Sequence, residues 1–251
     1  MDIIDNIQNS LIFYPTKEFF SSPSDEEIEH EEVFVKTIDD ETLHGYFLPA
    51  KQETKNVVLY LHGNAENVST WYQACTAIQK HVQANFLIVD YRGYGKSSGK
   101  PSIQGVNIDA QAMLDYLILR GFTQENISVY GRSIGGAIAI GLVANNKVKS
   151  LVVQSSFTSL KIIAKELYPF IPPALIKDNY WDSLDKIKKV NCPVLISHGD
   201  KDELIPVSHS YELYEVALKP KELLILKGAK HNDLINYFNS KYYEILSMLF
   251  L

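Results

Sequence analysis

From residue 33 onward, short apolar runs alternate with longer stretches in which apolar residues recur at helical spacing. Residues 57–61, Val-Val-Leu-Tyr-Leu, are apolar throughout, as are 86–89 and 151–153, and 127–130 and 194–197 are apolar but for Ser128 and Ser197. Runs of this length without polar alternation predict strands covered on both faces. Between them, residues 68–82, 103–119, 134–144 and 207–217 read as helices, with Val106, Ala110, Met113, Leu114 and Leu117 tracing one face of the second. Gly121 ends that helix as a C-cap glycine does. Residues 222–226 predict a last strand and 234–249 a terminal helix. Residues 33–37 and 44–48, around Asp39-Asp40, predict a hairpin. Strands alternating with helices mean βαβ units, so the expected fold class is α/β, a mostly parallel central sheet flanked by helices.

The rhythm breaks once. Between residues 157 and 190 one crossover helix would suffice, yet the segment is about twice that length and contains Tyr168-Pro169-Phe170-Ile171-Pro172-Pro173. The expectation is one domain over residues 1–251 with a short helical lid over 157–190; the plainer reading is an elaborated surface connection. Ile162, Leu167, Tyr168, Phe170, Ile171 and Leu175 either line an acyl pocket or form the segment's own core. Tyr168, Phe170 and Ile171 are the candidate substrate-binding residues.

Composition excludes several classes. The chain has 251 residues and a net charge of -6, which argues against a nucleic-acid partner. Its two cysteines, Cys75 and Cys192, form no paired motif and fit a reduced, cytoplasmic protein better than a disulfide scaffold. The acidic start Met1-Asp2-Ile3-Ile4-Asp5 is unlike a secretory signal, and no run of about eighteen apolar residues predicts a membrane span. Leu11-Ile12-Phe13-Tyr14-Pro15 and the last seven residues could touch a membrane peripherally; packing against the domain is the reading preferred here.

The chemistry centres on Gly131-Arg132-Ser133-Ile134-Gly135, which lies between a predicted strand and a predicted helix. A G-x-S-x-G in that context is a nucleophile elbow: a strained turn lifts the serine hydroxyl clear of the sheet, and flanking side chains would collide with neighbouring elements. A serine hydroxyl needs a base. Of the histidines after Ser133, His231 lies in a polar loop beyond the last strand, His198 sits at a strand end where packing explains it, and His209 falls inside a helix. The loop 198–206 offers Asp200, Asp202 and Glu203 for the orienting acid. Asp202 is the choice, because Asp200 directly follows Gly199 and is placed to shape the turn. For the oxyanion, the donors are the Ile134 amide and the Asn64 amide in the loop His62-Gly63-Asn64-Ala65, with Ala65 an alternative. His62 lies inside that turn and reads as structural.

Together, Leu61-His62-Gly63-Asn64-Ala65, Asp90-Tyr91-Arg92-Gly93-Tyr94-Gly95-Lys96-Ser97, the elbow, and His198-Gly199-Asp200-Lys201-Asp202 with Ile205-Pro206 resemble the α/β-hydrolase branch of protein depalmitoylases and their bacterial relatives, a branch also labelled with serine aminopeptidases. Phe13-Tyr14-Pro15 and Phe157-Thr158-Ser159-Leu160 fit it as well. The resemblance implies ester or thioester hydrolysis of a small-molecule or acylated substrate, long acyl chains included, with no metal and no organic cofactor. Many members carry an N-terminal anchor or a cysteine-rich acylated tail; neither is read in these residues, so membrane residence is not carried over. Two other readings stay open. A peptidase or amidase would need a carboxylate for the substrate's amino terminus, with Glu66 and Asp233 as candidates, and a non-catalytic binding protein could keep the same fold. Arg132, beside the nucleophile, matches several members and could equally serve a buried ion pair.

Overall fold

A computed structural model of the chain describes residues 3–170, 176 and 181–251, with side chains from residue 8. In chain order the elements are α1 (Ile3–Ile12), β1 (Tyr14–Pro15), β2 (Glu31–Lys36), β3 (Thr42–Leu48), β4 (Val57–Leu61), β5 (Ala65–Glu66), α2 (Val68–Gln79), β6 (Asn85–Val89), α3 (Ile103–Leu119), β7 (Ile127–Arg132), α4 (Ile134–Val143), β8 (Ser150–Gln154), α5 (Leu160–Leu167), α6 (Ser183–Lys186), β9 (Val194–Gly199), α7 (Ser208–Val216), β10 (Lys221–Leu226) and α8 (Ser240–Phe250). Among the described residues, eight strands form one sheet in the order β10-β9-β8-β7-β4-β6-β3-β2. β10 through β6 run parallel, and β3 and β2 complete the edge antiparallel.

The buried strands show why their sequences carry no polar alternation. In β4, Val57, Leu59 and Leu61 join the core on one face with α3 and α4, while Val58 and Tyr60 join the core on the other with α2 and α8. Successive side chains point to opposite faces, and both faces are covered. The parallel strands also place the C-terminal ends of β4, β7, β9 and β10 along one edge of the sheet. In open α/β sheets that edge is where ligands bind.

The structure departs from the sequence expectations in three places. Residues 234–249 are not one helix. A short 3-10 turn over Leu234–Tyr237 is followed by extended backbone at Phe238 and Asn239, and the Asn239 side chain accepts from the Tyr242 amide to start α8. An asparagine satisfies free helix-start donors better than it continues a helix. The N-terminus, unassigned from sequence, forms α1 and then β1, which pairs in parallel with β5. Phe13 is buried there, edge-on to Trp181 at 6.0 Å. Finally, α5 turns its inward face through Leu160 and Ile163, leaving Ile162 on the exposed side. Ile171 and Leu175 lie outside the described residues.

Candidate active site

Ser133 occupies the β7-to-α4 turn with φ 55° and ψ -121°, a conformation L-residues adopt only under constraint. The two glycines of the motif make that turn feasible. A Cβ at Gly131 would run into the Gly135 carbonyl, and one at Gly135 would run into the Leu61 carbonyl. The Ser133 amide donates to the Gln154 carbonyl at 2.9 Å, which ties the elbow to β8.

The loops beyond β9 and β10 bring two more groups to the serine. Asp202 Oδ2 lies 2.7 Å from His231 Nδ1, and His231 Nε2 lies 3.2 Å from Ser133 Oγ. A carboxylate only accepts, so Nδ1 carries the ring proton and Nε2 is left to accept from the serine. The Asp202 side chain is fully buried. Burial alone would raise its carboxyl, but hydrogen bonds from His198 and His231 and the Ile205 amide override it and hold the group well below the usual carboxylate range. Its Oδ1 takes the amides of Leu204 and Ile205 at 2.9 and 2.8 Å. Asp200 does not join this chain; its Oδ1 takes the Gly228 amide at 2.6 Å and braces the β10 loop.

Asn64 and Ile134 both border the cavity that Ser133 opens into, and a Cβ at Gly63 would stand 3.7 Å from that of Ser133. The Asn64 carbonyl and its side-chain Oδ1 are occupied. Tyr94 Oη donates to the carbonyl at 2.6 Å and the Tyr14 amide to Oδ1 at 3.2 Å. The donors Asn64 can offer a ligand are therefore its backbone amide and its side-chain Nδ2. His62 donates from Nδ1 to the Gly63 carbonyl at 2.7 Å, and complete burial pushes its ring down to about 4. It is part of the turn and makes no hydrogen bond to Ser133. Arg132 donates to the His231 carbonyl at 2.8 Å and lies over the Trp71 ring at 4.9 Å. Among the described residues no carboxylate pairs with it, and its bond to the His231 carbonyl steadies the histidine loop.

The cavity has a volume of about 650 Å³ and its described walls are mostly apolar. Leu167, Tyr168 and Phe170, all singled out from sequence, border it, while Ile162 does not. Sequence reasoning missed most of the wall: Leu11 and Ile12 of α1, Trp71, Phe157, Leu160, Ile163, Ile205 and Trp181. The α5 part was findable, because Leu160, Ile163, Ala164 and Leu167 follow the spacing of one helix face. Among the described lining residues there is no carboxylate; Glu66 accepts from Thr70 Oγ1 and Asp233 from the Lys230 amide, away from the walls. Cys192 is also set aside as a nucleophile, since burial pushes its thiol up to about 11.

An elbow serine at the C-terminal edge of a mostly parallel sheet, with acid and histidine following in that chain order, defines an α/β-hydrolase. The comparisons agree. Residues 56–175 match the family model described as alpha/beta hydrolase fold. Protein bem46 of Schizosaccharomyces pombe is 34% identical over 87% of this chain and 76% of its own length. The human alpha/beta hydrolase domain-containing protein 17B is 33% identical over 76% of this chain and 65% of its own length. An esterase of Pyrococcus furiosus superposes with a TM-score of 0.76 at 21% identity, covering 95% of this chain and 97% of that one, a likeness of fold. The chain belongs to the α/β-hydrolase superfamily. No helix among the described residues is long and apolar enough to cross a membrane.

Proposed function

We propose that this protein is a serine hydrolase that cleaves carboxylic ester or thioester bonds through an acyl-enzyme. The observation that carries this reading is the hydrogen-bonded line Asp202–His231–Ser133 ending in the wall of an apolar cavity. Ser133 Oγ attacks the carbonyl carbon as its proton passes to His231 Nε2, and Asp202 stabilises the imidazolium. The tetrahedral oxyanion is met by the Ile134 and Asn64 amides, donors of a kind worth about 3–4 kcal/mol each. Collapse expels an alcohol or thiol, which takes the proton from His231. Water, deprotonated by the same nitrogen, then releases the acid and restores Ser133. Leu167, Tyr168 and Phe170 serve in this scheme as part of the acyl wall, and Ile171 belongs to the same segment. The apolar walls favour an acyl group over a peptide amino terminus, which would meet no carboxylate among the described lining residues.

The experiment is a rate series on para-nitrophenyl esters and acyl thioesters from C2 to C16, for wild type and Ser133→Ala. Turnover that disappears in the variant supports the reading, and the position of its maximum reports the acyl length the cavity takes. Turnover of aminoacyl-aminocoumarins without ester turnover would replace it with a peptidase.

A further inference from the structure

The acid of the site has a second imidazole. His198, the last-but-one residue of β9, is completely buried. Its Nε2 stands 3.1 Å from Asp202 Oδ2, the oxygen that also binds His231, and 2.9 Å from the Ile205 carbonyl. Both neighbours only accept, so Nε2 carries a proton and points it between them. Its Nδ1 lies 2.6 Å from Ser210 Oγ on α7, a hydroxyl that can donate to a neutral ring or accept from a charged one. Asp202 Oδ1 thus takes two amides, and Oδ2 stands within 3.1 Å of two imidazole nitrogens that carry protons.

We propose that His198 is a positioning residue for the hydrolytic reaction: it clamps Asp202 Oδ2 and shares that oxygen with His231, so that only part of the carboxylate's charge is spent on the catalytic ring. This rests on the hydrolase reading above. The physical reason is competition for one acceptor. Each donor on Oδ2 withdraws negative charge from it, and a carboxylate held by two rings favours the imidazolium form of either one less than a carboxylate held by one. His198 thereby moderates the hold of Asp202 on the catalytic ring. It also fixes the carboxylate plane, which the loop amides alone hold by a single oxygen. The other ionisable groups around the trio are otherwise engaged. Arg132 donates to the His231 carbonyl, Asp200 takes the Gly228 amide, Glu203 pairs with Lys230, and His209 of α7 bonds Glu166.

The test compares two amides at this position. His198→Gln reaches the Nε2 site and keeps a donor on Asp202; His198→Asn ends near Nδ1, keeps the Ser210 contact and leaves Oδ2 to His231 alone. With a short-chain para-nitrophenyl ester, His198→Asn is expected to raise the acidic limb of the kcat/KM profile by about half a pH unit and lower kcat about tenfold, with KM little changed. His198→Gln returns the limb and most of kcat. Two profiles superimposable on wild type would overturn the proposal, as would equal losses in both variants with unmoved limbs, the mark of a structural role. If neither variant folds, the downfield imidazole N–H resonances of the wild type decide. The His198 resonance must shift as His231 titrates, and indifference sinks the idea. Ser133→Ala separates the two failures: activity that survives it defeats the hydrolase reading, whereas Ser133-dependent activity with unmoved profiles defeats only the role of His198.

Discussion

Replacing Asp202 by Asn changes almost no volume, and the structure dictates how the amide must sit. The amides of Leu204 and Ile205 both point at Oδ1, so the Asn oxygen has to stay there and its NH₂ group takes the place of Oδ2. That NH₂ then faces His231 Nδ1, 2.7 Å away in the native protein, donor against donor. The ring escapes by moving its proton to Nε2, where it can no longer accept from Ser133. The expected loss is about 10³- to 10⁴-fold in kcat, or about 4–5.5 kcal/mol of barrier. KM should hold within a few-fold, because Asp202 does not border the cavity. Stability at neutral pH should fall by only about 1–3 kcal/mol, since losing two charge-assisted bonds is partly offset by removing a buried charge. Steady-state hydrolysis, with the labelling rate of Ser133 by a fluorophosphonate, measures the first effect, and urea unfolding the second. A variant keeping more than about a tenth of the wild-type rate would refute the reasoning and turn attention to Asp200.

Gly135→Ala should cost about 3 kcal/mol or more and abolish labelling of Ser133, because its methyl meets the Leu61 backbone, which has no room to yield; near-normal melting would contradict that. Ile163→Trp, filling the cavity from α5, should lower the ratio of long-chain to acetyl ester turnover at least tenfold while leaving acetyl turnover within about threefold, as a chain-length series would show. The pH dependence of stability should carry the signature of His62. Its ring titrates near 6.5 unfolded but only at about 4 when buried, so the unfolded state gains the proton first and this group's contribution to stability falls as pH drops through that window, by about 3 kcal/mol. The difference in urea midpoints between wild type and His62→Gln, followed from pH 7 to 4, tests this and should shrink as pH falls. Asp202 adds little in that window: its carboxyl is depressed, so its contribution is complete above about pH 5 and most of it is lost only below about pH 4.

The sequence made local features legible and hid those assembled at a distance. The elbow could be read because its three demands, strand before, helix after and no side chain on either flank, fall within adjacent residues. His231 and Asp202 could be read because chain order and strand ends place them, although Asp202 against Asp200 was settled by turn chemistry alone. The cavity was harder. Its walls come from Leu11 and Ile12, from Trp71, from α5 and from Trp181, pieces up to about 170 residues apart with no shared period. The break before α8 had a local signal in Asn239, overridden by the apolar run on either side of it. His198 looked like packing because nothing in H-G-D-K-D shows that the chain turns back to set residue 198 against residue 202; only the loop geometry does.

The most direct test of the account is to trap the acyl-enzyme. Wild type and Ser133→Ala are mixed with a para-nitrophenyl ester, quenched in acid within the first turnovers and mapped by peptide mass. The account predicts one acyl adduct, on Ser133, and a rate at least about 10⁴-fold lower in the variant. An adduct on another residue, or equal turnover by both proteins, would contradict it.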